Sequence, residues 1–383
     1  MKDFGFYKPN GLDLKSLIPN LPDIEYDKLH YLIHLIYEQK ALYKIKTDFV
    51  PLKALYLRKI LRDHKIYRTM LEDAEIIECD YTYVKNSKSY GLRLTEKYQN
   101  LPYCIHPCKT NKVRFKINRW KLEKSNLTDD THIFLREKLL STDIDEKSAL
   151  DEIKNYDFEK QNCIRILINK IKTRDWYFLP DEYGRIHTNL TILPKKLRKF
   201  LTVKNKSLVT VDITNSQPLF LLILLKQNNN IDSNTIRCAK HHKWFEELEL
   251  YSSLVQSGKL YEFMSFAYEN SSRELTKKLV FKDIFGPTLS PAFKTQFPCI
   301  GAVLQSFKKK DYRSVAWMLQ RQESKLMISN VCGKLKKLIP SEFISTIHDS
   351  ILTTPDCVDV VTNVVREAFL PYDVIPTLKV EEA

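Results

Sequence analysis

Apolar residues recur at three- and four-residue steps over 26–43, as in Leu29, Leu32, Ile33 and Ile36, and again over 51–62. That spacing predicts two helices. Residues 76–94 and 103–117 favour β-branched and aromatic side chains around turn signals such as Lys85-Asn86-Ser87, which predicts strands. Helical spacing returns over 148–172 and is broken by the aromatics and proline of 174–180. Farther on, SLVTVDI at 207–213 predicts a buried strand. The apolar run 216–226 predicts a helix with Pro218 in its first turn, where proline is tolerated. Helices are predicted over 246–269, 272–285 and 312–339. A strand, a tight turn at His348-Asp349-Ser350 and a second strand follow over 343–354. A helix over 358–369 and a short strand near 377–380 close the chain.

The 383 residues suffice for two or three domains with their own cores. With 43% hydrophobic and 28% charged residues the chain has globular composition. Its net charge of +14 points to a polyanionic partner, most often nucleic acid. The richest apolar run, Pro218 to Leu225, is too short to span a membrane, and MKDFGFYKPN lacks an apolar signal core. An intracellular protein without a membrane partner is therefore expected, with its eight scattered cysteines reduced. Glycine is scarce and no phosphate-binding GxxxxGK[ST] loop occurs, which argues against a P-loop NTPase. Neither Cys104, His106 and Cys108 nor Cys238, His241 and His242 offer two well-spaced ligand pairs, so packed or surface residues are expected there rather than zinc. The run Lys308-Lys309-Lys310 reads as a solvated loop.

Candidate chemistry concentrates in the second half. Asp212 ends an apolar strand and Asp349 lies in a turn between two others. Each alone reads as a turn or capping residue. A carboxylate there packs poorly unless it leaves the core or binds a cation. Two such aspartates brought together suit a pair of Mg²⁺ ions, whose remaining positions are filled by water and substrate phosphates. Arg273, Lys277, Phe281 and Phe285 are spaced four apart, which keeps them along one helical face. Two cations followed by two aromatics suit a triphosphate followed by a sugar and base. Asp181-Glu182-Tyr183-Gly184-Arg185 reads as a polar turn, and Arg185 with Lys195, Lys196, Arg198 and Lys199 suits a nucleic-acid backbone.

Taken in order, these segments resemble family A DNA polymerases and their relatives, the single-subunit phage and mitochondrial RNA polymerases. DEYGR at 181–185 is similar to the family's [T/D]xxGR motif. VTVDITNSQP at 209–218 resembles motif A, RELTKKLVFKDIFG at 273–286 resembles motif B, and STIHDSILT at 345–353 resembles motif C. The resemblance covers roughly the C-terminal 200 residues. It implies an α+β, right-hand polymerase fold with an antiparallel palm sheet, small helical fingers and a mixed helical and β N-terminal region. It implies that Asp212, Asp349 and the carbonyl of Ile213 hold two Mg²⁺ ions, with Mn²⁺ as a substitute. Arg273 and Lys277 would bind the triphosphate, with Lys277 as acid for the leaving group. Phe281 and Phe285 would flank the sugar and base, and Gly286 would let the template approach. Arg185 would grip the duplex, and His348 would sit beside the primer terminus. Gln320 or Gln322 would read the minor groove.

The sequence also departs from the family's pattern. Phe285 stands where tyrosine is usual. Gln217 stands where the DNA polymerases carry a glutamate that excludes the ribose 2′-hydroxyl and the RNA polymerases carry a small residue. Ser350 ends motif C as in the RNA polymerases, whereas Phe281 and the 27-residue interval from Arg185 to Asp212 resemble the DNA polymerases. The balance favours a compact DNA polymerase extending a primer on a template. The alternatives are a single-subunit-type RNA polymerase or primase-like enzyme, template-independent tailing, and a non-catalytic nucleic-acid-binding protein of replication or defence. Residues 1–170 leave no room for an exonuclease domain with a thumb, and are expected to form a thumb-like or accessory domain. Palm is expected at about 171–226 and 340–383, with fingers at about 227–339. The implied partners are primer-template nucleic acid, nucleoside triphosphates and an accessory replication protein. The implied setting is a phage or mobile element.

Overall fold

A computed structural model describes residues 5–43, 45, 47–85, 87–124, 127–227, 241–269 and 272–383. The chain is mixed α+β, with several small antiparallel sheets among many helices. It forms two compact units that interleave along the sequence instead of meeting at one point near residue 170. The first comprises Met1–Thr128, Thr142–Leu179 and Thr188–Leu201, and the second Asp129–Ser141, Pro180–His187 and Thr202–Ala383. No helix among the described residues is long and apolar enough to cross a membrane. The segment 228–240, at the start of the expected fingers and including Cys238, lies outside the described residues.

The first unit is organised around the helix Asp23–Tyr43, whose Leu29, Leu32, Ile33 and Ile36 are buried as their spacing requires. The strand Gly5–Pro9 pairs antiparallel with Tyr103–Pro107. A second sheet places Gly91–Leu94 between Val50–Pro51 and Ile77–Cys79. The strand expected over 103–117 stops at Pro107, and Asn111–Lys124 is a helix. A distant carboxylate supplies the reason. Asp27, 1% exposed, accepts hydrogen bonds from the backbone N–H groups of Lys109 and Thr110 at 3.1 and 2.7 Å and from Thr110 Oγ1 at 2.6 Å. It satisfies donors at a helix entrance that otherwise lack partners. Asp27→Ala is expected to lower the unfolding free energy by about 2 kcal/mol, with faster amide exchange at 111–114. Denaturant titration and hydrogen exchange measure both, and unchanged exchange would remove Asp27 as the cause of this helix.

Cys104 and His106 lie on the Tyr103–Pro107 strand, where the His106 ring stacks on His30 with centroids 3.9 Å apart. Cys108 Sγ donates to Asp27.

In the second unit a four-stranded antiparallel sheet runs in the order Ile344–Ile347, Ser350–Thr353, Val209–Ile213, Leu378–Glu382. The helix Ser216–Gln227 is apolar all round and buried from Pro218 to Leu225, as expected of a core helix. Val358–Phe369 packs on Val209–Ile213, and its Phe369 ring stacks on Phe220. The expected helix over 246–269 is two helices, His241–Gln256 and Leu260–Ala267. Gly258, with φ of +76°, turns the chain between them in a conformation that side chains disfavour. The expected helix over 312–339 is continuous, but its middle, Lys325–Cys332, widens into a π-helix between Ser314–Ser324 and Gly333–Leu338. Lys308 departs from its expected solvated loop. It is buried, its Nζ donates to the Asp283 carbonyl, and burial lowers its pKa to about 8.

Candidate active site

The two aspartates of interest come from segments more than a hundred residues apart. Val209–Ile213 is held in the sheet interior because both neighbouring strands pair with it. Its Asp212 lies directly opposite Ser350. Ile347 pairs with Ser350, so His348 and Asp349 form a two-residue hairpin loop. Opposed Cα atoms in such a pair lie roughly 4.5–5.5 Å apart. Asp349 is thus one residue removed from the position facing Asp212. Both aspartates are half-buried, and His348 is exposed. His348 carries φ of +57°, the left-handed conformation that this tight loop imposes on a non-glycine residue. Ser350 Oγ closes the loop by donating to the Ile347 carbonyl at 2.8 Å.

A residue that the sequence reading did not single out connects several that it did. Glu323, 1% exposed, lies at the end of the helix Ser314–Ser324. Arg185 binds it in a fork, Nε to Oε1 at 2.9 Å and Nη2 to Oε2 at 2.6 Å. Gln217 Nε2 donates to the same Oε2 at 2.7 Å. Burial pushes the Glu323 carboxyl above its ordinary value, Asp349 pushes the same way, and Arg185 opposes both. Arg185, Gln217, Glu323 and Asp349 are therefore one electrostatic neighbourhood. The signal was present in the sequence. Glu323 falls on the same helical face as the buried Leu319, Leu326 and Met327, where a carboxylate needs a partner. Glu323→Gln is expected to lower the unfolding free energy by about 2 kcal/mol, because it removes the buried counter-charge of the half-buried Arg185 guanidinium. Denaturant titration checks this, and a loss below about 1 kcal/mol would mean that Arg185 finds another partner.

The 181–185 turn docks on the same helix. Asp181 Oδ1 accepts from the N–H groups of Tyr183 and Arg185, each at 2.9 Å, and Asp181 Oδ2 lies 3.0 Å from His187 Nε2. The Tyr183 ring stacks on Trp317 at 6.1 Å. Gly184 has φ of +86°, and a Cβ there would approach Ser324 Cβ to 3.1 Å. Gln322 is buried with its Nε2 unpartnered, whereas Gln320 is half-buried.

The four spaced residues of the helix Arg273–Phe285 do form one row. Ser272 caps it by accepting from Leu275 N–H. Arg273 and Lys277 are exposed, and Phe281 and Phe285 are half-buried. Arg273 Nε binds Glu262 Oε1 at 2.8 Å, with its guanidinium 5.2 Å from the Tyr261 ring centroid. Lys277 Nζ lies 5.5 Å from the Phe281 ring, and Phe281 meets Phe285 edge-on at 5.7 Å. Among the described residues these contacts run along the helix and to Tyr261 and Glu262, not to Asp212 or Asp349. The glycine at 286 has a local reason, since a Cβ would lie 2.4 Å from the Lys282 carbonyl oxygen. Buried Asp283 anchors the following loop by accepting from Ser290 N–H and Oγ. In the basic run, Lys199 pairs with Glu152 at 2.9 Å, and burial lowers the pKa of Arg198.

Among the described residues no cluster of three or more His, Cys, Asp or Glu side chains forms a metal cage. A magnesium site built on two carboxylates does not require one.

No protein-family model matches the sequence, and no curated protein does. Among solved structures the chain is similar to the POL domain of Pol1 from M. smegmatis, in complex with DNA primer-template and dNTP. The TM-score is 0.40 and the identity 13%, over 62% of this chain and 55% of that one. The chain thus spans just over half the length of that structure.

Proposed function

We propose that the chain is a template-directed nucleotidyltransferase, a compact DNA polymerase that extends a primer 3′-hydroxyl. The observation that carries this reading is the strand register that sets Asp212 opposite Ser350, one residue from Asp349. Pure binding of phosphates gains nothing from two carboxylates at one end of a sheet. The oxygens of Asp212 and Asp349, with the Ile213 carbonyl, would hold two Mg²⁺ ions, or Mn²⁺ in their place. Bound there, such ions acidify an attacking hydroxyl and offset charge on a triphosphate.

The remaining roles belong to the chain's own side chains. Arg273 and Lys277 bind the triphosphate with exposed cationic heads, and Lys277 supplies a proton to the departing pyrophosphate. Phe281 and Phe285 pack against the sugar and base. Gln217, its amide held by Glu323, is a bulky side chain fixed in place, which favours dNTPs over rNTPs. His348 neighbours the primer terminus, and Gln320 or Gln322 reads the minor groove. Arg185 keeps donors besides the two that Glu323 takes, and these remain for the duplex.

A second reading, an RNA polymerase or primase-like enzyme, is favoured by Ser350, which fills the motif C position with a small neutral residue. Primer extension on a primed DNA template with Mg²⁺, with dNTPs and rNTPs in parallel and a reaction lacking template, decides among these. Template-dependent extension with dNTPs is expected. Preference for rNTPs selects the second reading, and extension without template selects tailing. Tight, salt-sensitive binding with no extension selects a nucleic-acid-binding scaffold.

A further inference from the structure

The first unit carries a concave surface of different chemistry. The segment Tyr81-Thr82-Tyr83-Val84 turns back through an isolated bridge between Val84 and Lys88 to reach Tyr90. Tyr81, Tyr83 and Tyr90 are 58%, 62% and 38% exposed, a concentration of aromatic surface that water disfavours. Tyr90 meets Tyr81 at 5.8 Å and Tyr83 at 6.1 Å. Arg68, on the neighbouring helix His64–Asp73, lies with its guanidinium 4.9 Å from the Tyr81 ring and 5.5 Å from the Tyr90 ring.

Beneath Tyr83 and Tyr90 is a cavity of about 540 Å³. Its floor is apolar, formed by Leu32, Leu52, Leu57 and Leu92, which are buried. Lys53, Arg68 and Lys88 line it, and among the described residues no aspartate or glutamate does. Lys88 is also 3.0 Å from Asp80, and Arg68 is 3.3 Å from Glu72, both outside the lining. His64 also lines the cavity, and burial together with Arg58, Arg68 and Lys65 lowers its pKa, in keeping with a cationic surrounding.

We propose that this tyrosine-lined cavity binds single-stranded nucleic acid, with an unpaired base over the apolar floor against Tyr83 and Tyr90 and the flanking phosphates on Lys53, Arg68 and Lys88. Stacking aromatics beside cations are the combination that holds a strand without regard to sequence. A size within the range of small-ligand sites admits a base, whereas a paired duplex presents no free base face to enter it. The cationic lining selects a polyanion over an uncharged ligand. The proposal shares with the polymerase reading only that nucleic acid is the partner, and its test needs no catalysis.

The test uses the full chain carrying Asp349→Ala, without nucleotides, and a fluorescein-labelled DNA strand of roughly 12 nucleotides, a length within the usual single-strand site range. Anisotropy is expected to show tighter binding of the strand than of the matching blunt duplex. Tyr83→Ala is expected to weaken strand binding about 5-fold or more, and Tyr83→Phe to retain it, because stacking needs the ring and not the hydroxyl. Lys53→Ala is expected to flatten the logarithmic salt dependence by roughly 0.7. Both positions are exposed, so folding tolerates the changes. Photocrosslinking of an iodouracil-substituted strand is expected to label Tyr83 or Tyr90. No strand binding, equal duplex binding with affinity indifferent to Tyr83, or crosslinks confined to the second unit would each overturn the proposal. Binding of an acidic peptide in place of the strand would overturn it in favour of a protein partner.

Discussion

In the Asp349→Ala chain, primer extension is expected to fall at least about 10³-fold while the unfolding midpoint stays near that of the parent. A metal-holding carboxylate contributes several kcal/mol to the stabilisation of charge in such a reaction. About 4 kcal/mol corresponds to three powers of ten in rate. The fold should tolerate the change, because Asp349 is half-buried in a two-residue loop whose closure is made by Ser350 and Ile347. Removing Asp349 also removes one cause of the raised Glu323 carboxyl, so the neighbourhood becomes easier to bury. Asp212→Ala should give a loss of similar size, and the double variant little more, since groups acting as a unit do not add. Single-turnover extension measures all three. A loss smaller than tenfold for either single variant would sink the two-carboxylate reading.

The largest effect on stability is expected at Lys170, in the first unit. Its side chain is 4% exposed, with Nζ 2.5 Å from Glu38 Oε1 and 2.6 Å from Asp175 Oδ2. Lys121 approaches Asp175 Oδ1 at 2.8 Å, and His34 Nε2 lies 3.7 Å from Glu38. Burial works against all three charges. Lys170 nevertheless holds the Glu38 and Asp175 carboxyls below their ordinary values, and they hold its own pKa above the usual lysine range. Lys170→Met leaves the buried Glu38 carboxylate facing an apolar chain while Asp175 keeps only Lys121, and a loss of about 3 kcal/mol is expected.

The pH dependence follows from the directions. Depressed carboxyls contribute stability that is present above the ordinary carboxylate range, near pH 4, and is lost as pH falls through their lowered values. The raised lysine contributes stability that is present below its ordinary range and is lost only as pH rises through its raised value. The parent should therefore hold this contribution across neutral pH and lose it on acidification. In Lys170→Met the acid loss should shrink, because carboxylates without their lysine gain from protonation. Denaturant titrations at neutral pH and near pH 3, followed by tryptophan fluorescence, measure the difference. Parallel acid losses in the two chains would show that the network does not set the acid response.

Much of the second unit is legible from local pattern. The four-residue steps of Arg273, Lys277, Phe281 and Phe285, the apolar strand ending at Asp212 and the strand–turn–strand around Asp349 depend on neighbours a few residues away. Spacing therefore predicts them, and they form as expected. Where a distant group intervenes, local pattern misleads. β-branched and aromatic residues made 103–117 read as a strand, yet Asp27 supplies the acceptor that lets a helix begin at Asn111.

The sequence by itself determined the chemistry at hand: two strand-end aspartates, a cationic and aromatic helix face, a net charge of +14 and the order of the segments that carry them. Only the tertiary structure decided which of these residues meet. It set Asp212 opposite Ser350 through strand register, and it joined Arg185 to Gln217 through Glu323. Hydrophobic spacing reports which face of an element is buried, whereas register and buried charge pairing depend on partners far away in sequence. No periodicity encodes those partners, and they become visible when the chain has folded.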